Sequence, residues 1–236
     1  MIIYWTIPTS GNDFFLGLDE PKPVISTHKN FLANLGNNSP FTNFFHCPSY
    51  KSFTKNLFSL HSPIDLEFSF DGDYLDLSGF YDYQPNFITI RDIQSRQISL
   101  GILPFIFFAE KPCEMQFSGP IFGTNNFSSS CLVIPGQLNI GRWFRPLDLA
   151  FFAEENLVNI KQGDELCNVR FLTSEKIVFK KFWYSDFFDD VINKESRFRQ
   201  FINAKGHTYL ENLYTLFHKS YLQKKILQEI KKNLIN

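Results

Sequence analysis

The chain contains no apolar run long enough to cross a bilayer. Its longest, Leu100 to Ala109, is ten residues and includes Pro104, against the ~20 that a membrane-spanning helix needs. Neither sign of charge dominates: 23 Lys+Arg against 24 Asp+Glu leave a net charge of −1, which provides no overall attraction to nucleic acid or anionic membrane. The four cysteines, Cys47, Cys113, Cys131 and Cys167, form no Cys-x-x-Cys or Cys-x-x-His pair, so zinc-ligand spacing is missing. Catalytic signatures are missing too. There is no Gly-x-Ser-x-Gly, no phosphate-cradling Gly-x-x-x-x-Gly-Lys-[Ser/Thr] and no His-Glu-x-x-His, and His28, His46, His61, His207 and His218 are scattered. These absences exclude a membrane-spanning helix and favour a non-enzymatic protein with no metal and no cofactor. Met1 to Pro8 lacks the basic start and small-residue cleavage site of a signal peptide, so a soluble, cytoplasmic protein is expected, in the host cytoplasm if the source is viral.

What the chain does have is phenylalanine, 29 residues of it, with 19 Asn and 16 Lys against five Ala and seven Arg. That bias fits AT-rich coding sequence, as in a phage or a small-genome microbe. Apolar residues at 44% and charged residues at 20% mark a globular chain. Phe belongs in cores, so the aromatic excess argues against a carbohydrate-binding sandwich built on exposed Tyr and Trp. The cysteines sit in apolar, strand-like contexts and are expected to be reduced and structural.

Strand periodicity dominates residues 1–182. Met1 to Pro8 reads as a first strand. Leu147, Leu149 and Phe151 alternate with Asp148 and Ala150, and Cys167, Val169 and Phe171 with Asn168 and Arg170, the period of two that a half-buried strand requires. Gly163-Asp164 reads as a turn between strands, and Pro135-Gly136 as another. Leu66 to Leu77 reads as a hairpin about Asp71-Gly72, with Phe68 opposite Leu75 and Leu66 opposite Leu77. Further strands are expected at Leu57 to Leu60, Phe87 to Ile90, Ile102 to Phe108 and Cys113 to Phe117. Helical turns are expected from Thr27 to Leu35 and after Pro48, with a short strand at Val24 to Ser26. Gly123 to Ser130 is the most polar loop, either a binding lip or a plain connection.

From Trp183 the period becomes helical, first at Phe187, Phe188, Val191 and Ile192, then in a stripe from Thr208 through Leu210, Leu213, Phe217, Tyr221, Ile226 and Ile230. Residues 191–236 hold nine Lys/Arg and three Asp/Glu, a basic tail that either docks on the acidic body or binds a polyanion. The expected architecture is mainly β: an antiparallel barrel or sandwich over residues 1–182, with a C-terminal α-helical extension over residues 183–236. The helical stripe needs cover, from this body or from a partner subunit.

The candidate ligand-binding residues are Arg142, Trp143, Arg145, Asp164 and Arg170. Guanidinium groups grip carboxylate or phosphate bidentately and stack on aromatic faces, so Arg142 or Arg145 with Trp143 suits an anion or a base. The structural alternative is a buried Trp corner with the arginines paired to Asp148 or Asp164. Pro135-Gly136, then Gly141-Arg142, a strand, Ile160-x-x-Gly163-Asp164 and Cys167-x-x-x-Phe171 resemble the late strands of the β-clip nucleotide enzymes, dUTPase and dCTP deaminase. Ser128-Ser129-Ser130 stands where those families carry Arg-Ser-Ser. That resemblance implies a β-clip-like fold and a nucleotide-binding protein or divergent nucleotide hydrolase. Cys47-Pro48, Lys55-Asn56, Ser62-Pro63 and Gly141-Arg142-Trp143-Phe144-Arg145-Pro146 resemble a group of uncharacterised phage proteins, which implies an origin and no activity. The expected function is a non-enzymatic binding or assembly protein. Its expected partner is a protein or a second copy, met through the C-terminal helix, with nucleotide as the alternative and nucleic acid and membrane set aside.

Overall fold

The computed structural model describes residues 1–8, 18–34, 45–71, 74–76, 88–121, 123, 125–204, 214–215 and 221–235. The described strands fall into four sheets. The first runs β15 (Val178–Lys181), β1 (Ile2–Thr6), β8 (Ile106–Phe108), and the second β10 (Cys131–Val133), β12 (Leu149–Ala153), β7 (Gln97–Leu100), β6 (Ile88–Asp92). The third runs β11 (Gly136–Asn139), β9 (Glu114–Ser118), β14 (Glu165–Phe171), β3 (Leu57–His61), β2 (Lys22–Pro23), and the fourth β13 (Leu157–Ile160), β4 (Leu66–Asp71), β5 (Tyr74–Asp76). Every pairing is antiparallel except β1 with β15. The sheets stay open, so the fold is sandwich-like and not a closed barrel. All four feed one core, which includes Trp5, Leu100, Phe151, Phe68, Val158, Val169 and Phe171. Most of the largest fully buried side chains are Phe, where the composition places them.

Several local expectations change. Val24 to Ser26 is not a strand: helix α1 (Val24–Asn34) begins there, directly after Pro23. Lys22 and Pro23 pair with Ser59 and Phe58 at the outer edge of the third sheet, where a proline without an N–H is tolerated. Helix α2 (Pro48–Phe53) has its proline in the first turn as expected. The hairpin register differs: Phe70 lies opposite Leu75 and Asp71 opposite Tyr74. The shift pairs an apolar residue with an apolar one, and because it is even, Leu66, Phe68 and Phe70 keep the buried face. The turn residues Gly72 and Asp73, and Leu77, lie outside the described residues. Pro104 splits the expected Ile102 to Phe108 strand, leaving β8 with three residues.

Two further differences bear on sites. Gly136 is not turn but the first residue of β11, so the chain crosses from the second sheet to the third at Ile134-Pro135. The polar loop contains a short helix, α3 (Asn126–Ser130), capped by the Asn125 side chain accepting from Ser128 N at 2.8 Å, with Phe127 fully buried. An Asn three residues before a serine amide is an N-cap signal that polar composition obscures.

Beyond Phe182, helices α4 (Asp186–Ala204) and α5 (Leu222–Lys232) cover a second, smaller core. Phe188, Val191, Ile226 and Ile230 pack there against Tyr4, Ile106, Phe108 and Phe144. Ile226 and Ile230 are fully buried, so this part of the stripe is covered within the chain. Trp183 N donates to Asn233 O at 2.9 Å and Ile235 N to Lys181 O at 3.0 Å, which ties the last residues to β15. The stripe residues Leu210, Leu213 and Phe217 lie outside the described residues. No described helix is long and apolar enough to cross a membrane.

Candidate functional site: two clefts on one edge strand

Strand β11 is the edge of the five-stranded sheet, and a different cleft lies on each of its faces. The cross-strand register explains the difference. Leu138, Met115 and Phe171 share the face turned to the core, while Gln137, Gln116 and Arg170 share the opposite one.

The segment after β11 closes the apolar side. Gly141 lies so close to the preceding loop that a Cβ would stand 2.6 Å from Lys111 O, which only glycine permits. From there consecutive aromatics diverge. Phe144 stacks on Phe188 with centroids 5.0 Å apart in the helical core, while Trp143 turns to the β11 edge and meets Tyr214 edge to face at 6.2 Å. Beneath it opens a cleft of about 360 Å³, walled by Phe105, Phe107, Met115, Phe117, Leu138 and Leu147. Its polar members are Arg145, Asp148 and Gln137, which at this edge strand borders the clefts on both faces. The Arg145 guanidinium sits over the Trp143 ring at 5.6 Å. Trp143 is 5% exposed, and its Nε1–H finds no hydrogen-bond acceptor among the described residues. Asp148 is held by Arg91 at 2.9 Å and accepts from Ser99 Oγ at 2.5 Å, so neither Arg142 nor Arg145 is its salt-bridge partner. Arg145 to Asp148 also wall a neighbouring cleft of about 340 Å³ that includes the buried Glu195.

The opposite face is polar, exposed at Gln116 and Gln137 and covered at Asn168. Asn168 is 1% exposed although it alternates with core residues, because other elements lie over this side. Asn168 Oδ1 accepts from Ile121 N at 3.1 Å, and its Nδ2 donates to the Glu165 carboxylate, which also accepts from Ser59 Oγ at 2.7 Å. Burial holds the Glu165 carboxyl above its ordinary range, and the Ser59 and Asn168 hydrogen bonds only partly offset this. Glu165 lies opposite His61 across the β14/β3 ladder, and both line a cavity of about 150 Å³ with Thr27, His28, Asn125 and Asp164. Burial lowers His28 to about 4, and His28 Nδ1 shares a 2.6 Å hydrogen bond with Tyr50 Oη. His61 is lowered as well, by burial first and then by the Lys22 charge, with Asp164 opposing. No described group of three or more His, Cys, Asp or Glu has the geometry to hold a metal ion.

Thus the five sequence candidates separate. Trp143 and Arg145 meet at the aromatic cleft. Arg170 is on the other face, donating to Phe53 O at 2.8 Å and stacking over the Phe53 ring at 4.5 Å. Asp164 stabilises its own turn, its Oδ2 accepting from Lys161 N at 2.9 Å. The Arg142 side chain is exposed and lines none of these clefts. Sequence reasoning missed the His28, His61 and Glu165 cavity, since no local motif links residues from α1, β3 and β14. All four cysteines are free, and burial raises Cys113 to about 11 and both Cys131 and Cys167 to about 12. Cys47 differs from expectation in being exposed, at the start of α2. No protein-family model, curated protein or solved structure matches the chain.

Proposed function

We propose that the protein is a non-enzymatic binding protein that holds a small, planar, mostly apolar molecule in the aromatic cleft beneath Trp143. The observation that carries this reading is the Trp143 Nε1–H, without an acceptor among the described residues, in the wall of a mostly apolar cleft. A buried donor left without an acceptor costs roughly 1–3 kcal/mol, and a ligand with a hydrogen-bond acceptor would relieve that cost. The cleft volume falls within the range of small-molecule sites, and its lining is mostly apolar with a few polar groups, as in such sites. Phe rings offer edge and face contacts to a planar ligand, and Arg145 offers a cation beside it.

A nucleotide is the second reading, favoured by the Arg145 guanidinium over the Trp143 ring, with the base in the cleft and a phosphate near Arg145. Assembly through the C-terminal helix has less apolar surface available, because Ile226 and Ile230 are buried within the chain.

Thermal unfolding against a panel of heteroaromatic compounds, nucleosides and nucleoside triphosphates with magnesium tests both readings. A ligand at a hundred times its dissociation constant stabilises by about 2.7 kcal/mol. The expected result is a shift with planar ligands that Trp143→Phe and Arg145→Ala reduce. A shift that survives both substitutions places the ligand elsewhere and ends the reading, and a shift restricted to triphosphates selects the nucleotide.

A further inference from the structure

The polar face of the five-stranded sheet carries a second cleft that the aromatic reading does not use. It has a volume of about 530 Å³ and is walled by Gln116, Ser118, Gln137, Asn168 and Arg170, with Phe53 at one side. We propose that it binds a neutral, hydroxyl-rich ligand, a mono- or disaccharide.

The argument rests on what these side chains still have to offer. Gln116 Nε2 donates to Gln137 Oε1 at 2.8 Å, which leaves the Gln116 carbonyl oxygen as an acceptor. Ser118 Oγ donates to Gly119 O at 3.2 Å and keeps its lone pairs. Arg170 commits one N–H to Phe53 O, and its guanidinium carries five in all. Donors and acceptors therefore stand side by side on one face. A hydroxyl both donates and accepts, so a polyol satisfies such a surface; a carboxylate or phosphate, acceptor-only, leaves the Gln116 carbonyl oxygen and the Ser118 lone pairs unmatched.

The geometry agrees. Gln137, Gln116 and Arg170 are register partners across three strands, and Ser118 and Asn168 form the next rung. Within a rung neighbouring strands stand ≈ 4.7–4.9 Å apart, and rungs on one face repeat every two residues, about 6.4–6.8 Å, so the amide and guanidinium groups form a regular grid. Asn168 is buried and hydrogen-bonded to Ile121, Glu165 and Ser59, which fixes the floor beneath. Phe53 is 46% exposed and held from one side by Arg170, leaving apolar ring surface for the C–H face of a sugar. This site uses Phe, the aromatic that composition assigned to the core.

The test is titration calorimetry of the full chain with glucose, galactose, N-acetylglucosamine, maltose and cellobiose, beside the acidic sugars glucuronate and glucose 6-phosphate. We expect at least one neutral sugar to bind, and Gln116→Leu, at an exposed position, to weaken it about tenfold, the worth of one hydrogen bond. Phe53→Ala should weaken it as well. Arg145→Ala, on the other face, should leave the sugar affinity unchanged, so failure here and failure of the aromatic-cleft reading are separate outcomes. The proposal is overturned if no neutral sugar binds, if only the acidic sugars bind, or if binding is indifferent to Gln116→Leu while that variant's circular dichroism matches the parent.

Discussion

The two faces of strand β14 are built by opposite means, and each buries a part of its residues. On one, Cys167, Val169 and Phe171 are closed off by apolar packing from the other sheets, with Phe171 against the rings of Phe58, Phe107 and Phe179. On the other, Asn168 and Glu165 are closed off while hydrogen-bonded to Ser59 and Ile121. The apolar face gains stability from area removed from water. The polar face gains little from burial and must satisfy every group it covers, which makes it the more specific surface and the more fragile one. Clefts with free hydrogen-bonding capacity on that side are therefore informative, whereas apolar packing of the same extent is not.

The largest effect is expected on the apolar side. Phe171→Ala should cost about 3–5 kcal/mol, the usual range for a fully buried Phe, read from the urea midpoint; a loss below about 1 kcal/mol would mean that the ring cluster does not carry the core. Asn168→Ala should cost about 1–3 kcal/mol by stranding the Ile121 amide and the Glu165 carboxylate. If it matched or exceeded Phe171→Ala, the distinction between the faces would fail.

Acid separates the faces further. His28 falls from an ordinary 6.5 to about 4 in the folded chain, so between those values the unfolded state binds the additional proton. The stability that neutral His28 contributes is fully present above pH 6.5 and is lost as pH falls towards 4. The thermal midpoint should drop across that window, and His28→Gln should flatten the drop; an unchanged slope in the variant would assign acid sensitivity to another group. Glu165 has the opposite sign. Its folded value lies above the ordinary 4.5, so its ionisation costs stability as pH rises from 4.5 through the folded value. Glu165→Gln keeps a carbonyl acceptor for Ser59 and Asn168 and should leave the midpoint at neutral pH equal or slightly higher. A marked fall instead would show that the charge itself holds the network together.

Much of the β architecture was legible because the period of two is a local property. The alternations at Leu149 to Phe151 and Cys167 to Phe171 report which side chains share a face, whatever lies above that face. The hairpin was read with the correct face and the wrong register, since an even shift leaves the apolar pattern intact and local pattern does not select between the two. The aromatic cleft was half legible, in Trp143 and Arg145, because cation and ring are near neighbours in the chain. Arg170 and Asp164 stood among the same candidates; the fold places Arg170 on another face, and Asp164 closes the turn expected at Gly163-Asp164.

The sequence by itself determined the class of the protein, mainly β with a helical end, and the burial of its many Phe residues, because periodicity and hydrophobicity act over a few residues. Only the tertiary structure decided that Asn168 on the polar face of the five-stranded sheet would be buried while Gln116 and Gln137 stay exposed, that β11 would be an edge among the described strands with a different cleft on each side, and that His28, His61 and Glu165 would line one cavity. Those outcomes depend on which strands pair and which elements lie over them, and pairing between residues a hundred positions apart leaves no trace in local pattern.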